Sequence, residues 1–169
     1  MKAKGLTVIE LLVTMAIAAV MLTYAIPAFN DFTDQRQIAA NTNLVIAGVN
    51  YARSEAARRG VTVTLQTIDG TATNEWGSGF CVTQDDPGDC DDPINVFAPD
   101  GPGSLDAVDG LDGLDSLSFN PRGMVIGNFL GGSIRVCGAD EDSNPGREIS
   151  INAIGRASSL EFTCFEEEE

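Results

Sequence analysis

The sequence contains no histidine, so the commonest general base and the commonest transition-metal ligand are both missing. Hydrolases built on a histidine base and zinc sites built on imidazole lose their best residue. Positive charge is scarce. Ten Lys and Arg stand against 25 Asp and Glu, for a formal net charge of -15 over 169 residues, and the basic residues are sparse after Arg59. A surface of that sign repels polyanions, which makes nucleic acid a poor default partner. No CxxC occurs, so a redox motif has no support. No nucleophile, base and acid stand in a recognisable catalytic arrangement, and the chain is not expected to be an enzyme.

Charge of either sign is absent from Leu11 to Phe29. An uncharged apolar run of that length is enough to cross a bilayer as a helix. Glu10 therefore sits at the edge of a membrane span. A conventional secretory signal has an apolar region of about 7–15 residues and then a small-x-small cleavage site. This run is longer and ends in Tyr24, Pro27 and Phe29. Lys2 and Lys4 precede the span and the next basic residue, Arg36, follows it, so the short leading side is expected in the cytoplasm and the bulk of the chain across the membrane. With the span subtracted, enough chain remains for one domain with its own core.

Lys4-Gly5 followed by Leu6-Thr7-Val8-Ile9-Glu10-Leu11-Leu12 resembles the class III signal of type IV pilins and pseudopilins, in which a short basic leader is cut after the glycine. The resemblance implies a membrane-embedded prepilin peptidase that cleaves between Gly5 and Leu6 and methylates the new N-terminus. Leu6 departs from the phenylalanine usual there. Cleavage leaves an α-amine at Leu6 one helical turn from Glu10. A lone carboxylate deep in lipid costs roughly 2.5–3.5 kcal/mol on insertion scales, so a partner amine is a strong gain. In the family the pairing is drawn between this glutamate and the N-terminus of a neighbouring subunit, which sets axial register.

Pro27 lacks an N–H and is expected to kink or locally melt the helix. Beyond it, Asp34 to Arg59 is free of proline, and Ile38, Val45, Val49, Ala52 and Ala56 fall on one helical face able to pack on a sheet. Glu55 precedes Arg58 and Arg59 by three and four residues, the spacing of exposed ion pairs, and Gly60 is a natural C-cap. The stretches "YARSEAARRGVTVTL" from Tyr51, "WGSGFCV" around Trp76, "LSFNPRGMV" and "ISINAIGRASSLEFTC" resemble, in order, successive blocks of the GspH/FimT family of minor pilins and pseudopilins.

After Gly60 the period changes. Val61–Leu65, Phe80–Val82, Ile94–Phe97, Leu117–Phe119, Met124–Ile126, Ile134–Cys137, Ile149–Ile151 and Leu160–Phe162 are short β-type runs separated by Gly, Pro, Asn and Asp. Pro121-Arg122-Gly123 reads as a hairpin turn. The expected class is α+β, a pilin-like long helix on antiparallel sheet. Its divisions are a leader over 1–5, a membrane and assembly half of the helix over 6–29, an exported half over 30–60 and a β-rich domain over 61–169.

The four cysteines belong to an exported domain, where disulfides are the default. Cys81 and Cys90 bracket a short acidic loop, while Cys137 and Cys164 lie in separate strand-like runs, so Cys81–Cys90 with Cys137–Cys164 is favoured; sequence alone permits other pairings. The stretch from Asp100 to Asp115 reads as a long inserted loop that places Asp109, Asp112 and Asp115 every third residue. Oxygen-rich loops can hold Ca²⁺, but this one lacks EF-hand spacing. A solvated acidic loop is preferred, with calcium as the alternative and no other cofactor expected.

Two functions are implied. The first is a minor subunit that joins a type II secretion pseudopilus or a type IV pilus through its N-terminal helix. Its partners would be other pilins or pseudopilins, the prepilin peptidase and the inner-membrane assembly platform. It would sit single-pass in the inner membrane with its C-terminal domain in the periplasm, and then in the filament. The second is a DNA-binding minor pilin of natural uptake, since FimT-like members carry a C-terminal Gly-Arg-x-Arg. Here Gly155-Arg156-Ala157-Ser158 supplies only the first arginine, Arg156.

Overall fold

The structure, a computed structural model, describes residues 7–68, 74–84, 90–138 and 145–164. Helix α1 spans Val8–Arg59. The strands are β1 (Val63–Thr67), β2 (Phe80–Gln84), β3 (Asn95–Phe97), β4 (Ser104–Val108), β5 (Ser116–Phe119), β6 (Gly131–Cys137), β7 (Pro145–Asn152) and β8 (Ala157–Thr163). The chain divides into two compact units, with the boundary between Thr33 and Asp34.

The N-terminal unit is helical. Thr7 caps α1, accepting the Glu10 N–H at its Oγ1 (3.3 Å) and at its carbonyl (3.1 Å). Pro27 lies inside the helix, so the local melting expected there does not occur. A proline removes one backbone donor, at a cost of about 3 kcal/mol in a helix interior, and long helical segments on both sides of it hold the ladder together.

The second unit packs the rest of α1 with two four-stranded antiparallel sheets, ordered β3-β2-β1-β5 and β4-β6-β7-β8. The predicted stripe is the buried one: Val45, Val49, Ala52 and Ala56 are wholly buried and Ile38 nearly so. Helical period alone reveals that face. Gly48 lies on it as well, under the ring of Phe80. Phe80 in turn stacks on Phe97 (centroids 5.2 Å apart, planes 14° apart) and leans on Trp76 (5.7 Å). Polar ties fix the height of α1, among them Gln37 Nε2, which donates to the Asp100 carbonyl at 2.7 Å. Asn41 Nδ2 donates to the Asp100 carbonyl and Asn41 Oδ1 accepts the Asp100 N–H, both at 3.1 Å. Further along, Arg53 Nε donates to the Gly123 carbonyl at 2.9 Å. The helix ends as expected, with Gly60 at φ 70 and its N–H bonded to the Ala56 carbonyl.

Three expectations are corrected. Asp100 to Asp115 is not a plain loop: it contains β4, with Leu105 and Ala107 buried, and a 3₁₀ turn over Asp109–Leu111 with Leu111 buried. Met124–Ile126 is not a strand. It makes one isolated bridge, Phe119 to Val125, because the positive-φ glycines Gly123 (φ 75) and Gly127 (φ 98) turn the chain on either side. Its hairpin turn is present nonetheless, with Gly123 N bonded to the Asn120 carbonyl at 2.8 Å.

The third correction concerns Glu55. Its pairs are only half exposed, since the Glu55 side chain is 9 % accessible while that of Arg58 is 66 % accessible. Arg58 grips it with Nη2 at 2.5 Å and Nε at 3.1 Å, and Arg59 Nε adds a bond at 2.7 Å. The hydrogen bonds from Arg58 and then Arg59 hold the Glu55 carboxyl below the usual carboxylate range.

Cys81 is joined to Cys90, and Cys137 to Cys164. The second bridge spans from the end of β6 to just past β8, across β7. Gly146 on β7 makes this possible, because a Cβ there would collide with the Cys164 sulfur and stand 2.7 Å from the Val136 carbonyl.

Candidate functional site

The first half of α1 is apolar and exposed on every face. Val8, Ile9, Met15, Met21, Tyr24 and Phe29 are each more than 60 % accessible. The helix is long and apolar enough to cross a membrane, and no part of the apolar window is buried. A surface of that kind is stable only in lipid or against other helices. Glu10 is the one acid in its first turn. With Thr7 at the N-cap, Glu10 occupies the third helical position, so Thr7-x-x-Glu10 has the spacing of a capping box. That pattern is legible in the sequence, although the charge of Glu10 beside an apolar run is its more conspicuous feature. Gly5 and Leu6, the expected cleavage site, lie outside the described residues.

The acidic residues of the 109–115 segment do not converge. Asp109 opens the 3₁₀ turn at φ 56, Asp112 closes it with its N–H on the Asp109 carbonyl (3.3 Å), and the Asp115 carbonyl is taken by Thr67 N–H (2.8 Å). Among the described residues, no group of three or more Asp, Glu, Cys or His is placed to hold a metal ion. The acids that do meet are Asp106 and Glu75. Glu75 is buried and accepts the Ala107 N–H at 3.0 Å. Burial first, then the charge of Glu75, a hydrogen bond to it and the charge of Asp112, push the Asp106 carboxyl up to about 6, with Arg135 pulling the other way.

The signs of these two shifts are opposite. Asp106 is raised, so its contribution to stability is fully present below the ordinary carboxylate range and is lost as pH rises through about 6. Glu55 is lowered, so its contribution is present above that range and is lost as pH falls through its folded value. Asp106→Asn is therefore expected to stabilise the protein at pH 7.5 and to flatten the decline in stability between pH 5 and 7.5. Because Asp106 is partly exposed, the expected gain is about 1 kcal/mol. Denaturant titrations of both proteins across that range measure it. An unchanged pH slope would contradict the pairing.

Arg156 is exposed on the turn between β7 and β8, where its N–H is held by Asn152 Oδ1 at 2.9 Å. The preceding Gly155 (φ 74) fits against Arg53 and the 120–124 turn: a Cβ there would stand 2.7 Å from the Gly123 carbonyl and 3.0 Å from Arg53 Nε. Arg53, Gly123 and Gly155 thus meet, although they are far apart in the chain, and the exposed Arg122 and Arg156 are the chain neighbours of that contact. Three of the sequence blocks noted above supply them. In the sequence, "ARSEAARRG" offers only a helix end with ion pairs; the contact of Arg53 with a carbonyl 70 residues away leaves no local signal.

Residues 41–155 match the family model described as type II transport protein GspH. The chain belongs to the GspH family, whose members are pilin-like. Residues 1–26 of this GspH-family chain also match the prokaryotic N-terminal methylation motif. Two crystal structures of the type IV minor pilin FimU of Pseudomonas aeruginosa share its fold. One has a TM-score of 0.61 at 18% identity, covering 75% of this chain and 99% of that one. The other has 0.63 at 20% identity, covering 79% and 99%. No curated protein matches the sequence. The α+β class and the pilin-like arrangement expected from the sequence are those found.

Proposed function

We propose that this GspH-family protein is a minor pilin or pseudopilin subunit, inserted in the inner membrane and then assembled into a type II secretion pseudopilus or a type IV pilus. The observation that carries the reading is the exposed, apolar first half of α1 with one acid in its first turn. In this account residues 1–5 are a leader removed by a prepilin peptidase, 6–29 are the membrane-spanning and assembly half of the helix, 30–60 are its exported half, and 61–169 form the periplasmic domain. The amine created at Leu6 pairs with Glu10 of a neighbouring subunit while apolar helices pack around both. The role is structural rather than catalytic, and the two disulfides suit the periplasm.

Intact-mass measurement of protein from cells that possess the peptidase is expected to give a chain starting at Leu6, with or without one methyl group. Retention of Met1, or a cut beyond Ala25, would overturn the assignment.

DNA uptake is the second reading, supported by the contact of Arg53 with Gly123 and Gly155, whose chain neighbours Arg122 and Arg156 are exposed. Arg53 is engaged with Gly123, and the net charge of -15 opposes the counterion release on which phosphate binding depends. Duplex DNA is expected to bind no tighter than about 10⁻⁴ M at physiological salt. Micromolar, salt-sensitive binding that disappears in Arg156→Ala, read by anisotropy, would promote DNA uptake over secretion.

A further inference from the structure

The free edges of the two sheets are treated differently. The outer edge of β4 is covered: Leu105 N–H donates to Asn74 Oδ1 (2.7 Å), Leu105 carbonyl accepts Trp76 N–H (3.1 Å) and Ala107 N–H donates to Glu75 (3.0 Å). The outer edge of β5 is covered at one end only. In the antiparallel ladder the Asp115 carbonyl turns toward β1, where Thr67 N–H takes it, so backbone alternation turns Ser116 and Ser118 away from β1. Ile126 N–H takes the Ser118 carbonyl at 2.8 Å. The Ser116 N–H and carbonyl and the Ser118 N–H then face a groove of about 570 Å³.

That groove is uncharged, with large apolar side chains beside the polar Ser116, Ser118 and Asn128. Leu114, Val125, Ile126, Phe129 and Leu130 line it with the serines of β5. Leu130 is 93 % accessible and Ile126 46 %, an arrangement that leaves large side chains in water. Its surroundings are polarised. Asp109, Asp112 and Asp115 are exposed at the end where β5 begins, and Arg122 is exposed beyond the end where the 125–126 segment already pairs.

We propose that this groove binds an extended segment of a partner protein by strand addition to β5. The segment is uncharged, alternates apolar with small polar residues, runs antiparallel to β5 and carries a basic residue at its C-terminal end. Main-chain bonds to Ser116 and Ser118 supply the register, and Leu130 and Ile126 close over its apolar side chains. The charge of the occupant follows from position: an antiparallel strand ends beside Asp109, Asp112 and Asp115, where a cation is favoured and an acid repelled. None of the residues that line the groove belongs to the first half of α1.

The test uses the full chain in lipid nanodiscs and an N-terminally fluorescent peptide, Val-Thr-Val-Thr-Val-Lys amide, read by anisotropy. Saturable binding in the range of about 10–100 µM is expected. The peptide ending in Glu instead of Lys should bind at least about tenfold more weakly, and the peptide N-methylated at alternate amides, which cannot join a ladder, should not bind. Leu130→Asp, with an unchanged thermal midpoint because Leu130 is exposed, should also lose binding. Absence of saturable binding up to about 1 mM, equal binding of the N-methylated or Glu peptide, or a silent Leu130→Asp would overturn the proposal. So would displacement of the peptide by duplex DNA, which would make the site one for nucleic acid.

Discussion

Glu10→Val is expected to leave the chain in the membrane and remove it from filaments. The substitution deletes the charge that adjoins the start of the apolar run, so insertion holds or improves. Assembly depends on the opposite feature. If the amine at Leu6 meets the Glu10 carboxylate of a neighbour among packed helices, taking away the carboxylate leaves a cation without a partner in a medium that penalises it by roughly 2.5–3.5 kcal/mol. That loss corresponds to a drop of at least about tenfold in incorporation. Sheared filaments and membranes, fractionated and blotted, measure the two effects separately.

The capping geometry supplies a competing explanation and its control. Glu10 stands at the third position of α1 with its N–H on Thr7, and an acid there gains about 0.3–1 kcal/mol from the helix dipole alone. Thr7→Ala removes the cap and keeps the carboxylate. Under the pairing account it assembles nearly as well as the wild type. If Thr7→Ala falls as far as Glu10→Val, Glu10 acts on its own helix and not on a neighbour.

What the sequence disclosed follows from the range of the forces concerned. The stripe from Ile38 to Ala56 and the cap at Gly60 are local, set by a period of 3.6 and by one residue's tolerance of positive φ. The leader motif is likewise linear. Asn41 and Arg53 were not legible as ties, because each holds a backbone group 59 or 70 residues away. Strand β4 was hidden by composition: Ser104-Leu105-Asp106-Ala107-Val108 alternates with period two, but Asp and Gly on both sides suggested a loop. Glu55 was placed on the surface because spacing identifies its partners without showing which face of the helix the sheets cover. The groove beside β5 was invisible for a related reason, since Leu114 and Leu130 belong to no periodic run and meet only after two sheets have formed.

The burial of Gly48 gives the second large effect. Its missing side chain is what lets α1 approach β2. A Cβ at this position would fall well inside contact distance of Phe80 Cε2 and 3.2 Å from Cζ. Phe80 has nowhere to go, being wholly buried between Phe97 and Trp76. Gly48→Val improves helix propensity by a few tenths of a kcal/mol but forces extra methyl groups into a filled core. Overpacking of this kind costs about 1–3 kcal/mol and sometimes more, so a net loss of about 2–3 kcal/mol is expected against a total stability of about 5–15 kcal/mol. Phe80→Leu alone also destabilises, by opening space. The pair distinguishes the contact from a general weakness of the helix: in Gly48→Val with Phe80→Leu, the larger residue on one side enters the space vacated on the other. The double variant should then be more stable than the sum of the single losses predicts, by at least about 1 kcal/mol. Denaturant midpoints of the four proteins provide the cycle. Strict additivity would mean that Gly48 does not set the distance between α1 and β2.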